Sequence, residues 1–487
     1  MTGYKQLFKG KKITVMGLGI LGRGLGYTKF LAECGADLIV TDLKTKEQLK
    51  SSVEEIKNYE LRIKNKKKIK FVLGEHRLED FRDRDMIIKA AGVPFDSIYI
   101  NEAQKNNIPI EMDVSLFSKC APGVMLIGVT GTRGKSMTTT LIYEILKANE
   151  KLLKNNACPT GNSFRRVYVG GNLRGMATLP LLKKVKSRAS MDTARMSPQD
   201  DFGKSSAESD ILVCELDSWQ LQGFGDSKIS PHISVFTTFM PDHMNYYKNS
   251  MEKYFDDKAN IFKYQNGNDV LIIRPNMKKL IPKNIKSKLI VINKKELDGW
   301  KFIVPGEHQR ENLACAVKVA EQLNIPISKI KKVVSGFKGL EGRLELLKVY
   351  KGIKIYNDNN ATTPEATVAG IEALSSARTV LAEKKIVLIC GGADKNLLLD
   401  NLIKKVNQNC KFVSLISGSG TNKFLSSHKL KVESYQAKDL KDAIKKALEK
   451  AKKGDIVLFS PAFASFGMFN NEYERNDLFM KIIKNLK

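Results

Sequence analysis

Gly128-Val129-Thr130-Gly131-Thr132-Arg133-Gly134-Lys135-Ser136 decides the fold, because glycines at 131 and 134 followed by Lys-Ser make a turn shaped for phosphate. The apolar run Met125-Leu126-Ile127 precedes it and a helical pattern, Met137 to Ala148, follows. Strand, glycine turn and helix point backbone N–H groups and a helix N-terminus at a polyphosphate. Lys135 is placed to reach the terminal phosphates, and the Ser136 hydroxyl to ligate Mg²⁺. The strict Walker spacing asks for glycine where Val129 stands, so the loop is a relative of the P-loop with its glycine displaced to Gly131.

Working outward, 487 residues exceed what one core supports, and about three domains follow. With 42% hydrophobic and 27% charged residues the composition is that of a soluble globular protein. No apolar run is long enough for a membrane span. Met1 to Lys12 is polar and basic and is expected to lead straight into a strand, without a signal-peptide core. Seven cysteines are scattered singly with no Cys-x-x-Cys, which points to a reducing cytoplasm. The net charge of +29 favours anionic substrates. The densest basic run, Lys64 to Lys68, has no interleaved aromatic residue for base stacking, so specific nucleic-acid binding is not expected.

The first segment alternates strand and helix: Ile13–Met16, a helix from Gly22 to Cys34, Asp37–Asp42, then short strands at Phe71–Leu73 and Met86–Ile88. A join is expected near Pro109 to Pro122. A second series runs from Met125 through strands at Ile211–Leu216, Ile233–Thr238 and Val270–Ile273. Ser187 to Asp210 has no apolar period and reads as a mobile surface insertion. A third series begins around Gly339, with strands at Ile386–Cys390, Phe412–Ile416 and Ile456–Phe459. The pattern predicts three α/β domains in series.

Chemistry gathers in three further places. Gly17-Leu18-Gly19-Ile20-Leu21-Gly22 fits Gly-x-Gly-x-x-Gly, with Asp42 twenty residues past Gly22. Taken alone this reads as an NAD fingerprint, although any pyrophosphate-bearing nucleotide can use such a turn. Glu215 ends one strand, with Asp217 just after it, and Asp242-His243 follows the next, an oxygen and nitrogen set suited to Mg²⁺ beside ATP. Lys258 reads by itself as a solvated helix lysine. Gly391-Gly392-Ala393-Asp394-Lys395 and Ser460 to Ser465 follow buried-type strands, where open sheets bind ligands.

Together these residues resemble the Mur ligase family, which builds the peptide stem of bacterial cell-wall precursors. Gly131 to Ser136 is similar to its ATP loop, with Arg133 for the usual Asn or Lys; Gly170-Gly171-Asn172 to its Gly-Gly-Asn element; Glu215 to Leu221 to Glu-Leu-Ser-Ser-Phe-Gln-Leu; and Asp242-His243-Met244 to Asp-His-Met. Gly306 to Asn312 resembles the adenine-side helix, and Asn357 to Thr362 an Asn-Asp-Ser-x-Ala-Thr element.

The resemblance implies an ATP-dependent amide ligase of α/β class: a Rossmann-like UDP-binding domain at 1–112, a P-loop-type ATPase domain at 113–340, and a Rossmann-like amino-acid-binding domain at 341–487; the insertion near 187–209, expected from its composition to be disordered, has no counterpart in the family pattern. Its implied substrates are ATP, D-glutamate and UDP-N-acetylmuramoyl-L-alanine, used by a cytoplasmic monomer. Lys135, His243 and Lys258 are the implied catalytic residues. Gly131, Thr132, Gly134, Lys135, Ser136, Asn312 and Arg343 bind ATP. Gly17, Leu18, Gly19, Gly22, Asp42 and Asn172 hold the UDP substrate, and Thr362, Lys395 and Ser465 the amino acid. Ser136, Glu215, His243 and a carbamylated Lys258 hold one or two Mg²⁺. Asn360 for Lys, Gly467 for Asp, the shift of the aromatic residue to Tyr473 and Ala90-Ala91-Gly92 for Ser-Pro-Gly depart from the pattern. A sibling ligase for another amino acid, a folylpolyglutamate-type ligase, an ATP-binding sensor and an NAD-dependent oxidoreductase remain open alternatives.

Overall fold

The computed structural model describes residues 3–20, 22–63, 68–155, 163–173, 175–185, 209–375, 384–427 and 429–486. The basic run at 64–68 and the insertion expected at 187–209 lie outside these residues, apart from Lys68 and Ser209. Two compact units form, one from Met1–Gly299 with Glu311–Val334, the other from Trp300–Arg310 with Ser335–Lys487.

The first unit carries two sheets. Strands β1 (Lys12–Met16), β2 (Asp37–Asp42), β3 (Lys70–Leu73), β4 (Met86–Lys89) and β5 (Ile110–Glu111) lie in the order β3-β2-β1-β4-β5, all parallel. That order reverses at β1, so the glycine turn after β1 opens at the switch point where such sheets hold ligands. The second sheet contains β6 (Met125–Thr130), β7 (Phe164–Gly171), β8 (Ser209–Glu215), β9 (Ile233–Phe236), β10 (Val270–Ile273) and β11 (Lys288–Val291), in the order β11-β10-β9-β6-β8-β7 and again all parallel. Its central strands are buried at every position, which is why they read as continuous apolar runs.

One expectation changes here. The N-terminus does not lead straight into β1: Gly3–Phe8 is a short helix whose Leu7 and Phe8 are buried, with Phe8 edge-on to Phe30. The join expected near Pro109 to Pro122 is itself structured: β5 pairs with β4 and Asp113–Cys120 is a helix buried along most of its length. Val114, Leu116 and Phe117 join a core that also takes in Phe30 and Leu31 beside the first sheet and Leu212 and Cys214 from the second. One apolar core thus unites both sheets of this unit.

The second unit is built on β12 (Glu345–Tyr350), β13 (Ile353–Asn357), β14 (Ile386–Gly391), β15 (Cys410–Ile416), β16 (Ser434–Ala437) and β17 (Ile456–Phe459), in the order β12-β13-β17-β14-β15-β16. Only the β12–β13 pair is antiparallel. Because β13, β17 and β14 are neighbours, the loops that leave their carboxyl ends lie side by side. The six cysteines among the described residues are buried and unpaired.

Candidate active site

The phosphate loop leaves the end of β6, between the ends of β8 and β9. Register makes this unavoidable: Val129 pairs with Glu215 on one side and Thr130 with Phe236 on the other. Gly131 has φ +142°, and a Cβ there would overlap the Thr237 hydroxyl and lie 2.8 Å from the Thr238 backbone nitrogen. Gly134 has φ +89° and precedes the helix Lys135–Ala148 in a left-handed conformation that favours glycine. The Thr132 N–H donates to the Thr238 carbonyl at 2.7 Å, and the Arg133 N–H to the Thr238 hydroxyl at 2.8 Å. The loop is clamped to the segment after β9.

Three charged side chains converge on it. Lys135 Nζ donates to the carbonyls of Gly131 at 2.9 Å and Thr132 at 3.3 Å. Lys258 Nζ donates to the same Gly131 carbonyl at 3.2 Å and lies 4.9 Å from the centre of the Tyr254 ring. Far from being a solvated helix lysine, Lys258 is 1% exposed. Burial, reinforced by the Lys135 charge, drives its pKa well below that of an ordinary lysine. Glu215 is buried and its Oε2 has no hydrogen-bond partner. Such an orphaned carboxylate oxygen is costly unless a cation meets it.

His243 takes a left-handed φ of +55°, and its ring packs 4.7 Å from Trp219. Partial burial lowers its pKa; Asp242 opposes the shift and Lys135 adds to it. Its Nε2 lies 3.8 Å from Asp242 Oδ2. Asp217 caps the helix Ser218–Asp226 through a capping box with Gln220. Among the described residues no group of three or more His, Cys, Asp and Glu side chains is arranged to hold a metal unaided. The buried Glu215 oxygen beside a phosphate loop nevertheless fits Mg²⁺, which takes one or two carboxylates and fills its shell with phosphate oxygens and water.

Asn312 accepts at Oδ1 from Arg274 Nη2 at 2.5 Å and from the Thr138 hydroxyl at 3.3 Å, so the residue expected on the adenine side abuts the phosphate-loop helix. Sequence reasoning passed over Arg274. It stands at the end of β10, as ligand residues of such sheets do, but no motif marks it.

In the first sheet, Gly17, Gly19 and Gly22 all have positive φ. Asp42 accepts from the Gly19 N–H at 2.8 Å and, through its other oxygen, from the Lys44 N–H at 2.9 Å. Its carboxylate therefore braces the glycine turn, which weakens the NAD reading that assigned it to a ribose hydroxyl. Leu18 is buried. Asn172, at the end of β7, donates its N–H to the Glu215 carbonyl at 2.7 Å and accepts at Oδ1 from Arg23 Nη2 at 2.6 Å. Arg23 thus ties the glycine turn to the Gly-Gly-Asn element, a link no motif announced.

In the second unit, Lys395 Nζ donates to the Thr362 hydroxyl at 3.2 Å. The strand-like bridge between Ala393 and Ala464 brings the Lys395 loop against Ser465, which is buried. The Ala462 N–H donates to the Ala361 carbonyl at 2.9 Å. All three residues expected to hold the amino acid thus come together. Arg343 lies two residues before β12, with its N–H on the Leu340 carbonyl at 3.1 Å. Arg475, which the sequence reading missed, is buried and donates to Asn359 Oδ1 at 2.8 Å and to the Phe463 carbonyl at 3.4 Å, joining two of these loops.

A parallel sheet with a glycine-Lys-Ser loop at its centre, flanked by a buried carboxylate and a buried lysine, defines a P-loop-type nucleotide-dependent enzyme. Residues 129–327 match the Mur ligase middle domain and residues 342–463 the Mur ligase glutamate ligase domain. The chain is 30% identical to the UDP-N-acetylmuramoylalanine--D-glutamate ligase of Roseiflexus sp. (strain RS-1) and 31% identical to that of Borreliella burgdorferi, each alignment covering 98% of both chains. Among solved structures it resembles the UDP-N-acetylmuramate-alanine ligase MurC of Thermotoga maritima, with a TM-score of 0.57 at 17% identity over 98% of this chain and 100% of that one. The MurF ligase of Thermotoga maritima in complex with ADP gives 0.52 at 17% identity, over 99% and 96%. The chain belongs to the Mur ligase family and is an ATP-dependent amide-bond ligase of three-domain architecture. With that, the oxidoreductase alternative has nothing left in its favour.

Proposed function

We propose that this chain joins D-glutamate to UDP-N-acetylmuramoyl-L-alanine at the expense of ATP, in the synthesis of peptidoglycan precursors. End-to-end similarity carries the reading: relatives of that name align with 98% of this chain at 30–32% identity. In this reading domains 1–112, 113–340 and 341–487 take the UDP moiety, ATP and the amino acid. The glycine turn Gly17 to Gly22, braced by Asp42 and next to Asn172, supports the first assignment. The phosphate loop, Asn312 and Arg343 support the second, and Thr362, Lys395 and Ser465 the third.

The terminal carboxylate of the UDP substrate attacks the γ-phosphorus, the bond to the bridging oxygen breaks, and ADP leaves an acyl phosphate. The amine of D-glutamate then attacks the acyl carbon, phosphate departs, and the amine loses a proton. Lys135, resting on two loop carbonyls, turns its ammonium from them to the phosphate oxygens and offsets repulsion between the two anions. Ser136, Glu215, His243 and Lys258, carbamylated on its neutral amine, would hold Mg²⁺, which supplies charge neutralisation at the phosphates. Among the described residues no helix is long and apolar enough to cross a membrane; a cytoplasmic monomer is part of the same proposal.

The test is to incubate the chain with ATP, Mg²⁺ and UDP-N-acetylmuramoyl-L-alanine, offer amino acids singly, and weigh the products. A D-glutamate adduct is expected. Adduct formation with a different amino acid alone, or none at all, overturns the proposal.

A further inference from the structure

Arg133 fills the last variable position of the phosphate loop, where the family pattern has Asn or Lys. Its main chain is gripped from both sides: the N–H donates to the Thr238 hydroxyl at 2.8 Å, and the carbonyl accepts from the hydroxyls of Thr237 at 2.5 Å and Thr238 at 3.1 Å. Its Nη1 lies 3.5 Å from Asp242 Oδ2, and Asp242 in turn lies beside His243. The guanidinium therefore stands over the same end of the sheet as Lys135 and His243.

The ion pair is partly open to water, with the two side chains 36% and 21% exposed. A long, part-solvated pair of this kind holds its partners weakly. A terminal phosphate offers a guanidinium more charge and a bidentate set of oxygens, a geometry that Arg matches and Asn cannot. We propose, resting on the ligase reading above, that Arg133 is an arginine finger supplied in cis: on nucleotide binding its guanidinium leaves Asp242 for the terminal phosphoryl oxygens. There it stabilises the charge that spreads over them during transfer. Asp242 is the resting place that keeps the cation near the loop in the empty site. The blander role, an ion pair that merely stiffens the loop, makes different demands, because it is spent equally on every nucleotide state.

The experiment compares the full chain with Arg133→Asn and Arg133→Lys by calorimetry, titrating ADP alone and ADP with aluminium fluoride as the mimic of the transferring phosphoryl group. Arg133→Asn is expected to weaken the fluoride complex by about tenfold or more while ADP alone changes less than about twofold. Arg133→Lys is expected to fall between. Equal weakening of both complexes, or of neither, overturns the proposal. Neither arm needs the UDP substrate, so a chain that shows the expected selectivity yet makes no D-glutamate adduct sinks the ligase reading and leaves the finger standing.

Discussion

The ammonium of Lys258 lies 3.2 Å from the carbonyl oxygen of Gly131, the same oxygen that accepts from Lys135 at 2.9 Å. Burial, reinforced by the Lys135 charge, drives the pKa of Lys258 well below that of an ordinary lysine and so favours the neutral amine. A neutral amine is the form that combines with carbon dioxide. Isotopically labelled bicarbonate is therefore expected to give a carbamate resonance in the intact chain that Lys258→Arg abolishes together with activity. An active Lys258→Arg variant rules the carbamate out.

The glycine at 131 is required by backbone as well as by space. Gly131→Ala sets a Cβ 2.8 Å from the Thr238 nitrogen at φ +142°, whereas Gly10→Ala at φ +77° meets nothing within 4 Å. Gly10→Ala is expected to cost about 1 kcal/mol from φ alone, and Gly131→Ala about 3 kcal/mol or more because backbone must shift. Thermal unfolding of the two variants checks the ranking, and only the second is expected to lose ATP binding.

In the proposed function Lys135 and His243 serve the phosphoryl step. Lys135→Ala and His243→Ala are each expected to slow ADP formation by about two to three orders of magnitude without unfolding the chain. The lowered pKa of His243 keeps the ring neutral at pH 7, so the rate is expected to hold above pH 6.5 and fall as acid protonates it. Full activity in either variant removes the role assigned to it.

Asp358 gives stability a pH signature. Burial pushes its pKa up to about 7, although Ser460 and the Leu344 N–H donate to it. The folded value lies above the ordinary 3.8, so the folded chain holds the extra proton between the two. The contribution is whole below about pH 3.8 and is lost as pH rises through about 7. Asp358→Asn is expected to flatten that part of the stability–pH curve; an unchanged slope contradicts the assignment.

Lys395 meets Thr362 in the cradle beside Ser465. Lys395→Ala is expected to raise the KM for the amino acid by about tenfold or more, the worth of one charge-assisted contact, with the KM for ATP unchanged. A matching rise for ATP places the lysine elsewhere in the cycle.

Legibility followed burial. Strands such as β8 and β14, buried at every residue, announce themselves as apolar runs. β12 and β16, at the two edges of their sheet, are only partly buried, and the sequence reading passed over both. The helix Gly3–Phe8 is too short for a period to show. Within the site, glycines and Lys-Ser were legible because their local geometry is their function, while Arg23, Arg274 and Arg475 were not, because each acts on a residue far along the chain.

By itself, then, the amino-acid order determined the phosphate turn, the helix after it and the αβ alternation, all products of short-range sterics and apolar pattern. Tertiary structure decided which charges face that turn. Parallel ladders set Glu215 and Thr237 at its two sides, and packing buried Lys258, whose protonation depends on the solvent it has lost rather than on its neighbours in sequence. The Ala393–Ala464 bridge likewise brought Lys395 to Ser465, since strand adjacency is a property of the folded sheet alone.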